Sequence, residues 1–137
     1  MLLADQISKY YVASTMLLGQ SVDLIPSLGL FYTHNTGIAF SLLSGASGLG
    51  CISVVAAGYF YYLLVLNQYP HLRWPLIFLI AGSLGNGIDR ITSGYVIDFI
   101  HVYYQNWHFA IFNFADMFIC FGVALWLLQE HLRTKPV

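Results

Sequence analysis

The sequence predicts an all-α integral membrane protein, and its composition, its long apolar stretches and the placement of its charges all indicate this fold class. Of the 137 residues, 58% are hydrophobic, 17% are aromatic and only 8% are charged. A soluble domain usually carries about 25% charged residues. The net charge of −1, with five Lys and Arg residues in total, argues against a nucleic-acid partner, because phosphate neutralisation requires clustered basic side chains.

The first segment, 1–19, is apolar apart from Asp5, Gln6 and Lys9. On a helix, Asp5 and Lys9 are four residues apart, so they lie on one face and can neutralise each other. This pattern fits either an amphipathic surface helix or the outer end of a spanning helix. We therefore expect a partial helix 1 in this segment.

Two other segments have the composition of strands and turns. Residues 20–45 mix Gly, Pro, Asn and Ser with short apolar alternation, and residues 91–109 are rich in β-branched and aromatic side chains. A cluster within 91–109 is typical of the aromatic belt at a membrane–water interface. This cluster comprises Tyr103, Tyr104, Trp107 and His108.

Three longer apolar stretches approach the roughly 20 residues that a helix needs to cross a bilayer. They predict helix 2 at 46–66, helix 3 at 74–90 and helix 4 at 110–130. Cys51 and Cys120 lie inside two of these stretches and, without a CxxC pair, are expected to be buried small apolar residues. The histidines are scattered and form no HExxH motif, so we expect neither a metal site nor a cofactor.

The basic residues predict how the chain is oriented in a membrane. Arg73 lies in the short connection between helices 2 and 3, and Arg133 and Lys135 follow helix 4, whereas the segments 20–45 and 91–109 contain no Lys or Arg. Cytoplasmic loops carry an excess of Lys and Arg. We therefore expect the connection and the C-terminus to face the cytoplasm and the two irregular segments to face outward.

In this topology, polar side chains from different segments gather near the outer leaflet. They are Asn86, Asp89, Arg90, Asp98, Asn113 and Asp116. If helix 4 begins at 110, a rise of 1.5 Å per residue places Asp116 roughly 8–10 Å below its start. An ionisable residue within a span is functional by default, so Asp116 is the hardest of these groups to explain structurally.

The other groups have structural alternatives. Asp89 and Arg90 are interpreted first as an ion pair at a helix end. Asn86 is interpreted as a polar contact that holds closely packed helices together. Asp98 is interpreted as an ordinary acidic residue in a loop. If two carboxyls do reach one site, they share a proton, because both cannot ionise at short separation. Such a pair can hydrolyse a peptide bond by acid–base catalysis. A proton pathway and a structural membrane subunit remain open alternatives.

Five sequence boxes, in the right order, resemble lipoprotein signal peptidase, also called signal peptidase II or prolipoprotein signal peptidase. The first two boxes are "DQISK" at 5–9 and "NTGIAFS" at 35–41. The next two lie within "GSLGNGIDRITSGYVIDFI" at 82–100, and the last is "FNFAD" at 112–116. Together they extend over nearly the whole chain.

The resemblance implies one membrane peptidase domain over 1–137, built as a four-transmembrane-helix bundle with a small extracytoplasmic β-sheet cradle. Family members have more residues before the first box, so helix 1 is expected to be N-terminally truncated here. The implied enzyme is an aspartic endopeptidase that cleaves the signal peptide from diacylglyceryl-modified bacterial prolipoproteins just before the lipidated cysteine. Two aspartates activate the attacking water by general acid/base catalysis.

Site residues follow by matching the boxes. The catalytic aspartates of the family match Asp98 and Asp116. Residues expected to bind substrate or support the site are Asp5, Lys9, Asn35, Gly37, Asn86, Asp89, Arg90 and Asn113. Because Asn113 lies one helical turn before Asp116, we also expect it to help orient that acid.

Partners and location are implied as well. The expected partners are diacylglyceryl prolipoproteins, membrane lipids and inhibitors of the globomycin type, and a monomer is expected. The expected location is the bacterial inner (cytoplasmic) membrane, with several spans. The active site would lie near the outer (periplasmic) face, and the C-terminus would be cytoplasmic.

Overall fold

The computed structural model describes residues 1–37 and 46–133. Part of the "NTGIAFS" box and Lys135 therefore lie outside the described residues. Within them the chain forms four α-helices, a short 3-10 helix and one four-stranded sheet. In chain order the main elements are α1 (Leu2–Thr15), β1 (Ser21–Ile25), β2 (Leu28–Asn35), α2 (Ala46–Leu66), α3 (Arg73–Ser93), β3 (Val96–Tyr104), β4 (Trp107–Phe112) and α4 (Phe114–Arg133).

The sheet is antiparallel throughout, with the strand order β1-β2-β3-β4. Its strands come from the two segments whose Gly, Pro and β-branched content indicated strands and turns, so this expectation is confirmed for the described residues. The β2–β3 pairing shifts register between Leu30 and Thr33, which places Thr33 opposite Asp98. The sheet thus carries one of the two candidate acids.

The C-terminal end of α1 packs against the sheet. Val12, Tyr32 and Phe99 form a buried apolar cluster in which none of the three is more than 7% exposed, and Phe114 packs against it. Phe99 and Phe114 meet edge to face, with 5.8 Å between ring centroids, an arrangement that aromatic pairs favour. This cluster holds β3 beside the start of α4.

The start of α4 differs from the sequence-based expectation. Residues 107–112 pair with β3 as a strand, so the helix begins at Phe114 and not at 110. Asp116 is therefore the third residue of α4, and the predicted depth of roughly 8–10 Å below the helix start is wrong. Helix 2 has the expected bounds, and α3 extends to Ser93, where Gly94 ends it with φ 81°.

Helix α3 lies at the centre of the helical part and packs against α1, α2 and α4. Close approach depends on its glycines. A Cβ at Gly82 would overlap the Ala115 carbonyl oxygen, and a Cβ at Gly85 would overlap the Asp5 carboxylate. Small residues at these positions let the helix backbones approach each other.

Among the described residues, two helices are long and apolar enough to cross a membrane, over Leu49–Leu66 and Phe114–Arg133. Only 17% and 11% of these stretches, respectively, are buried inside the protein, so they are not core helices of the soluble kind. Cys51 and Cys120 are free and exposed on them. The expectation that the cysteines are buried is wrong, because the protein covers only a small part of these apolar stretches.

Candidate active site

The first candidate acid, Asp98, is held by β3 and is only 3% exposed. The Asn35 side chain at the end of β2 donates from Nδ2 to Asp98 Oδ2 at 2.9 Å. Asn35 in turn accepts a hydrogen bond from the Gly37 backbone N–H at 3.2 Å. These contacts link two residues from the second box to the acid on the neighbouring strand.

The second candidate acid, Asp116, is held by the first turn of α4. Asp116 N donates to Asn113 Oδ1 at 3.0 Å, and Asn113 N donates to Asp116 Oδ2 at 3.2 Å. This reciprocal pair is a capping box, in which an N-cap residue and the third helical residue satisfy each other's backbone N–H groups. The Asp116 side chain is thereby fixed against its own helix terminus.

Asn113 also reaches the other acid. Its Nδ2 donates to Asp98 Oδ1 at 2.7 Å and to Asn86 Oδ1 at 3.1 Å, and the side chain is fully buried. Asn86 completes the connection by donating from Nδ2 to Asp116 Oδ1 at 2.7 Å. Two asparagines therefore join the two carboxyl groups into one hydrogen-bonded unit.

A buried cluster of charged side chains lies next to this hydrogen-bonded unit and contacts it through Asn86. Lys9 Nζ is 2.9 Å from Asp5 Oδ2 and 2.9 Å from Asp89 Oδ2, and it donates to Asn86 Oδ1 at 3.0 Å. None of these charged side chains is more than 7% exposed. The interpretation of Asp89 and Arg90 as an ion pair is wrong, because Asp89 pairs with Lys9 from α1 while Arg90 Nη1 lies 3.4 Å from Ser53 Oγ.

The cluster contains one more carboxylate than ammonium groups, and N–H donors compensate. Ala115 N donates to Asp5 Oδ1 at 2.8 Å, and Ile97 N donates to Asp89 Oδ2 at 3.2 Å. The Gln6 amide donates to Asp89 Oδ1 at 3.0 Å. Gln6 was not among the predicted site residues, although its place within the "DQISK" box was a signal that could have identified it.

Burial raises the pKa of Asp98 to about 6. The hydrogen bond from Asn35 opposes this rise, and the negative charge of Asp116 adds to it. A carboxyl with a raised pKa beside a second carboxyl is the arrangement from which acid and base roles separate. Among the described residues no group of three His, Cys, Asp or Glu could hold a metal ion.

Comparison with known sequences identifies the family. The family model of signal peptidase (SPase) II matches residues 1–132. The chain belongs to the signal peptidase II family. Proteins named lipoprotein signal peptidase from Brucella ovis, Brucella abortus and Brucella melitensis are each 42% identical to it over 137 residues, covering 97% of this chain and 86% of theirs.

Solved structures agree with this assignment. Two structures described as bacterial membrane enzymes, obtained by the in meso method at 2.3 and 1.9 Å resolution, match with TM-scores of 0.82 and 0.84. Each is 31% identical in sequence, and they cover 99% and 98% of this chain and 87% and 88% of their own. Signal peptidases II are proteases, and the family resemblance deduced from the sequence boxes is confirmed.

Proposed function

We propose that this signal peptidase II homologue is an aspartic endopeptidase that cleaves diacylglyceryl-modified bacterial prolipoproteins just before the lipidated cysteine. Asp98 and Asp116 are the proposed acid/base pair. The observation that supports this most directly is the Asn113 side chain, which donates to Asp98 and caps the helix that carries Asp116. One buried amide thus sets the position of both carboxyls.

The two acids have different surroundings, and we assign them different roles. Asp98, with its pKa raised to about 6 by burial, is the proton donor. Asp116 accepts hydrogen bonds from Asn86 and from the Asn113 backbone at a helix N-terminus, so it is the base. Asp116 takes a proton from water as the water oxygen bonds to the scissile carbonyl carbon. Asp98 protonates the carbonyl oxygen, which gives a gem-diol. As the C–N bond breaks, Asp116 donates the proton it took from water to the leaving amine, and Asp98 takes back a proton from a diol hydroxyl as the carbonyl re-forms.

The proposed location follows from where the pair lies in the fold. Both acids are at the junction of the sheet with the first turn of α4. If α1 to α4 span the bacterial inner membrane with the sheet outside and the C-terminus in the cytoplasm, this junction lies at the outer surface. The scissile bond of a lipid-anchored substrate reaches that depth while its acyl chains stay in the bilayer. We expect globomycin-type inhibitors to bind at the same site, and we expect the protein to be a monomer.

The test is cleavage of a diacylglyceryl prolipopeptide by purified variants in detergent micelles. We expect Asp98→Asn and Asp116→Asn each to lower kcat by at least about 10²–10⁴-fold, because each removes one partner of the acid–base pair. Asp23→Asn is the matched control, since Asp23 lies on exposed β1 and accepts a hydrogen bond from Tyr103 at 2.9 Å. Cleavage retained by either site variant would refute the proposed pair.

A further inference from the structure

We infer that an apolar groove beside Asp116 holds one acyl chain of the substrate, an inference that rests on the proposed function. The groove has a volume of about 400 Å³. Its lining residues are Phe109, Ala110, Phe112, Asp116, Met117 and Cys120. Strand β4 forms one wall and the first two turns of α4 form the other, so the groove begins at the proposed catalytic base.

Within residues 1–37 and 46–133, no other helix covers the side of α4 on which the groove lies. Helix α3 packs on the opposite side, where Gly82 faces Ala115 and Ile119 and where Gly122 faces Leu79. Asp116 and Cys120 are four residues apart, which places them on one stripe of the helix. Cys120 and Met117 are both exposed. The groove is therefore open to whatever surrounds the helices.

The chemistry of the walls favours an acyl chain over a polypeptide. Asp116 is the single charged or polar side chain among the lining residues. An extended peptide would place its N–H and C=O groups against apolar walls, which costs free energy for each unpaired group. A helix is about 10–12 Å across with its side chains, so a groove of about 400 Å³ would hold roughly one turn. An acyl chain has no polar group to satisfy.

The covalent structure of the substrate makes the groove reachable. The diacylglyceryl group is attached through the sulfur of the cysteine that follows the scissile bond, so its chains start about eight bonds from the scissile carbonyl carbon, a linker that spans roughly 10 Å when extended. From Asp116 to Cys120 the helix rises about 6 Å. The linker is therefore long enough for a palmitoyl chain to enter the groove and place its methylenes along Cys120, whereas an acetyl group ends in one methyl group and leaves no chain in the groove.

The deciding experiment compares Cys120→Phe with Cys51→Phe on two prolipopeptides, one with two palmitoyl chains and one with two acetyl groups. Both cysteines are exposed on apolar helices, so Cys51→Phe is the matched control. We expect Cys120→Phe to lower kcat/KM for the palmitoyl substrate about tenfold, as expected when one or two methylenes lose their apolar contact, and to leave the acetyl substrate unchanged. Cys51→Phe should change neither value.

Equal loss for both substrates, or loss for neither, would overturn the inference while leaving the proposed function in place. Failure of the unmodified chain to cleave either substrate would overturn the proposed function and this inference together. A second measurement does not depend on how a variant folds. In the unmodified chain, a dipalmitoylglyceryl lipopeptide lacking the signal peptide should slow alkylation of Cys120 but not of Cys51, and equal rates with and without lipopeptide would contradict the inference.

Discussion

At the scale of single residues, Asn113 shows how one side chain organises the candidate site. Its spacing from Asp116 was visible in the sequence and led to the expectation that it orients that acid. The capping box agrees with this expectation. Its 2.7 Å hydrogen bond to Asp98 was not predictable from the spacing. It forms because β4 pairs with β3, which brings Asn113 at the end of β4 next to Asp98 on β3.

The pH dependence of cleavage tests the assignment of Asp98 as the acid. Its pKa is raised from 3.8 to about 6, so its proton is retained below about pH 6 and lost as the pH rises through that value. We expect kcat/KM to fall over this range. Asn35→Ala removes a hydrogen bond that lowers the Asp98 pKa, so the falling limb of the pH profile should move to higher pH.

Asn106→Ala, in the turn between β3 and β4, is the control and should leave the limb in place. A limb that stays unmoved or moves to lower pH in Asn35→Ala would argue against Asp98 as the proton donor.

The raised pKa of Asp98 has a consequence for the stability of the protein as well. The folded state binds the Asp98 proton more tightly than the unfolded state does, so this proton contributes to the free energy of unfolding. The contribution is fully present below pH 3.8 and is lost as the pH rises through about 6.

At the scale of elements, α3 determines where the other helices can lie. Its Gly82 and Gly85 sit against α4 and against Asp5 of α1, at distances that leave no room for a Cβ. The sequence led to the expectation that closely packed helices meet at Asn86 on α3. It did not indicate which helix each glycine faces, because that depends on the order in which the helices pack.

Replacement of one glycine tests this packing. Gly82→Val would force α4 away from α3 and displace Asp116. We expect it to lower the free energy of unfolding by about 1–3 kcal/mol, the usual cost of overpacking, and to reduce cleavage. Gly58→Val on α2 is the matched control, since a Cβ there meets no atom of the described part of the chain within 4 Å. Thermal unfolding in micelles measures the stability of both variants. Native stability together with native cleavage in Gly82→Val would contradict the view that close packing of α3 against α4 positions Asp116.

At the scale of the whole molecule, the distribution of polarity is inverted relative to a soluble protein. On α1, Asp5 and Lys9 are buried, while Leu3 and Tyr10 are 76% and 75% exposed. This excludes the alternative of an amphipathic surface helix with its charges in water. Charged groups that avoid lipid must pair inside, and the Lys9 cluster joins α1 to α3 and, through Ala115, to α4.

Loss of the buried ammonium tests this connection. Lys9→Met keeps the side-chain length but leaves Asp5 and Asp89 without a counter-charge. We expect it to destabilise the protein by about 3–5 kcal/mol, as breaking a buried ion pair does. Arg133→Met is the control, because Arg133 is 58% exposed and lies 4.0 Å from Glu130, and an exposed pair contributes about 0–1 kcal/mol. Equal unfolding temperatures for the two variants would contradict this account.

The sequence by itself determined the membrane class, the bounds of α2, the strand-rich segments and the family. These are local properties, since an apolar stretch, a turn composition or a motif is complete within a few neighbouring residues. Only the tertiary structure decided that α4 begins at Phe114, that Asp89 pairs with Lys9, that the cysteines are exposed and that Asn113 joins both acids. Each of these depends on contacts between segments far apart in the chain, and such contacts exist only after the strands have paired and the helices have packed.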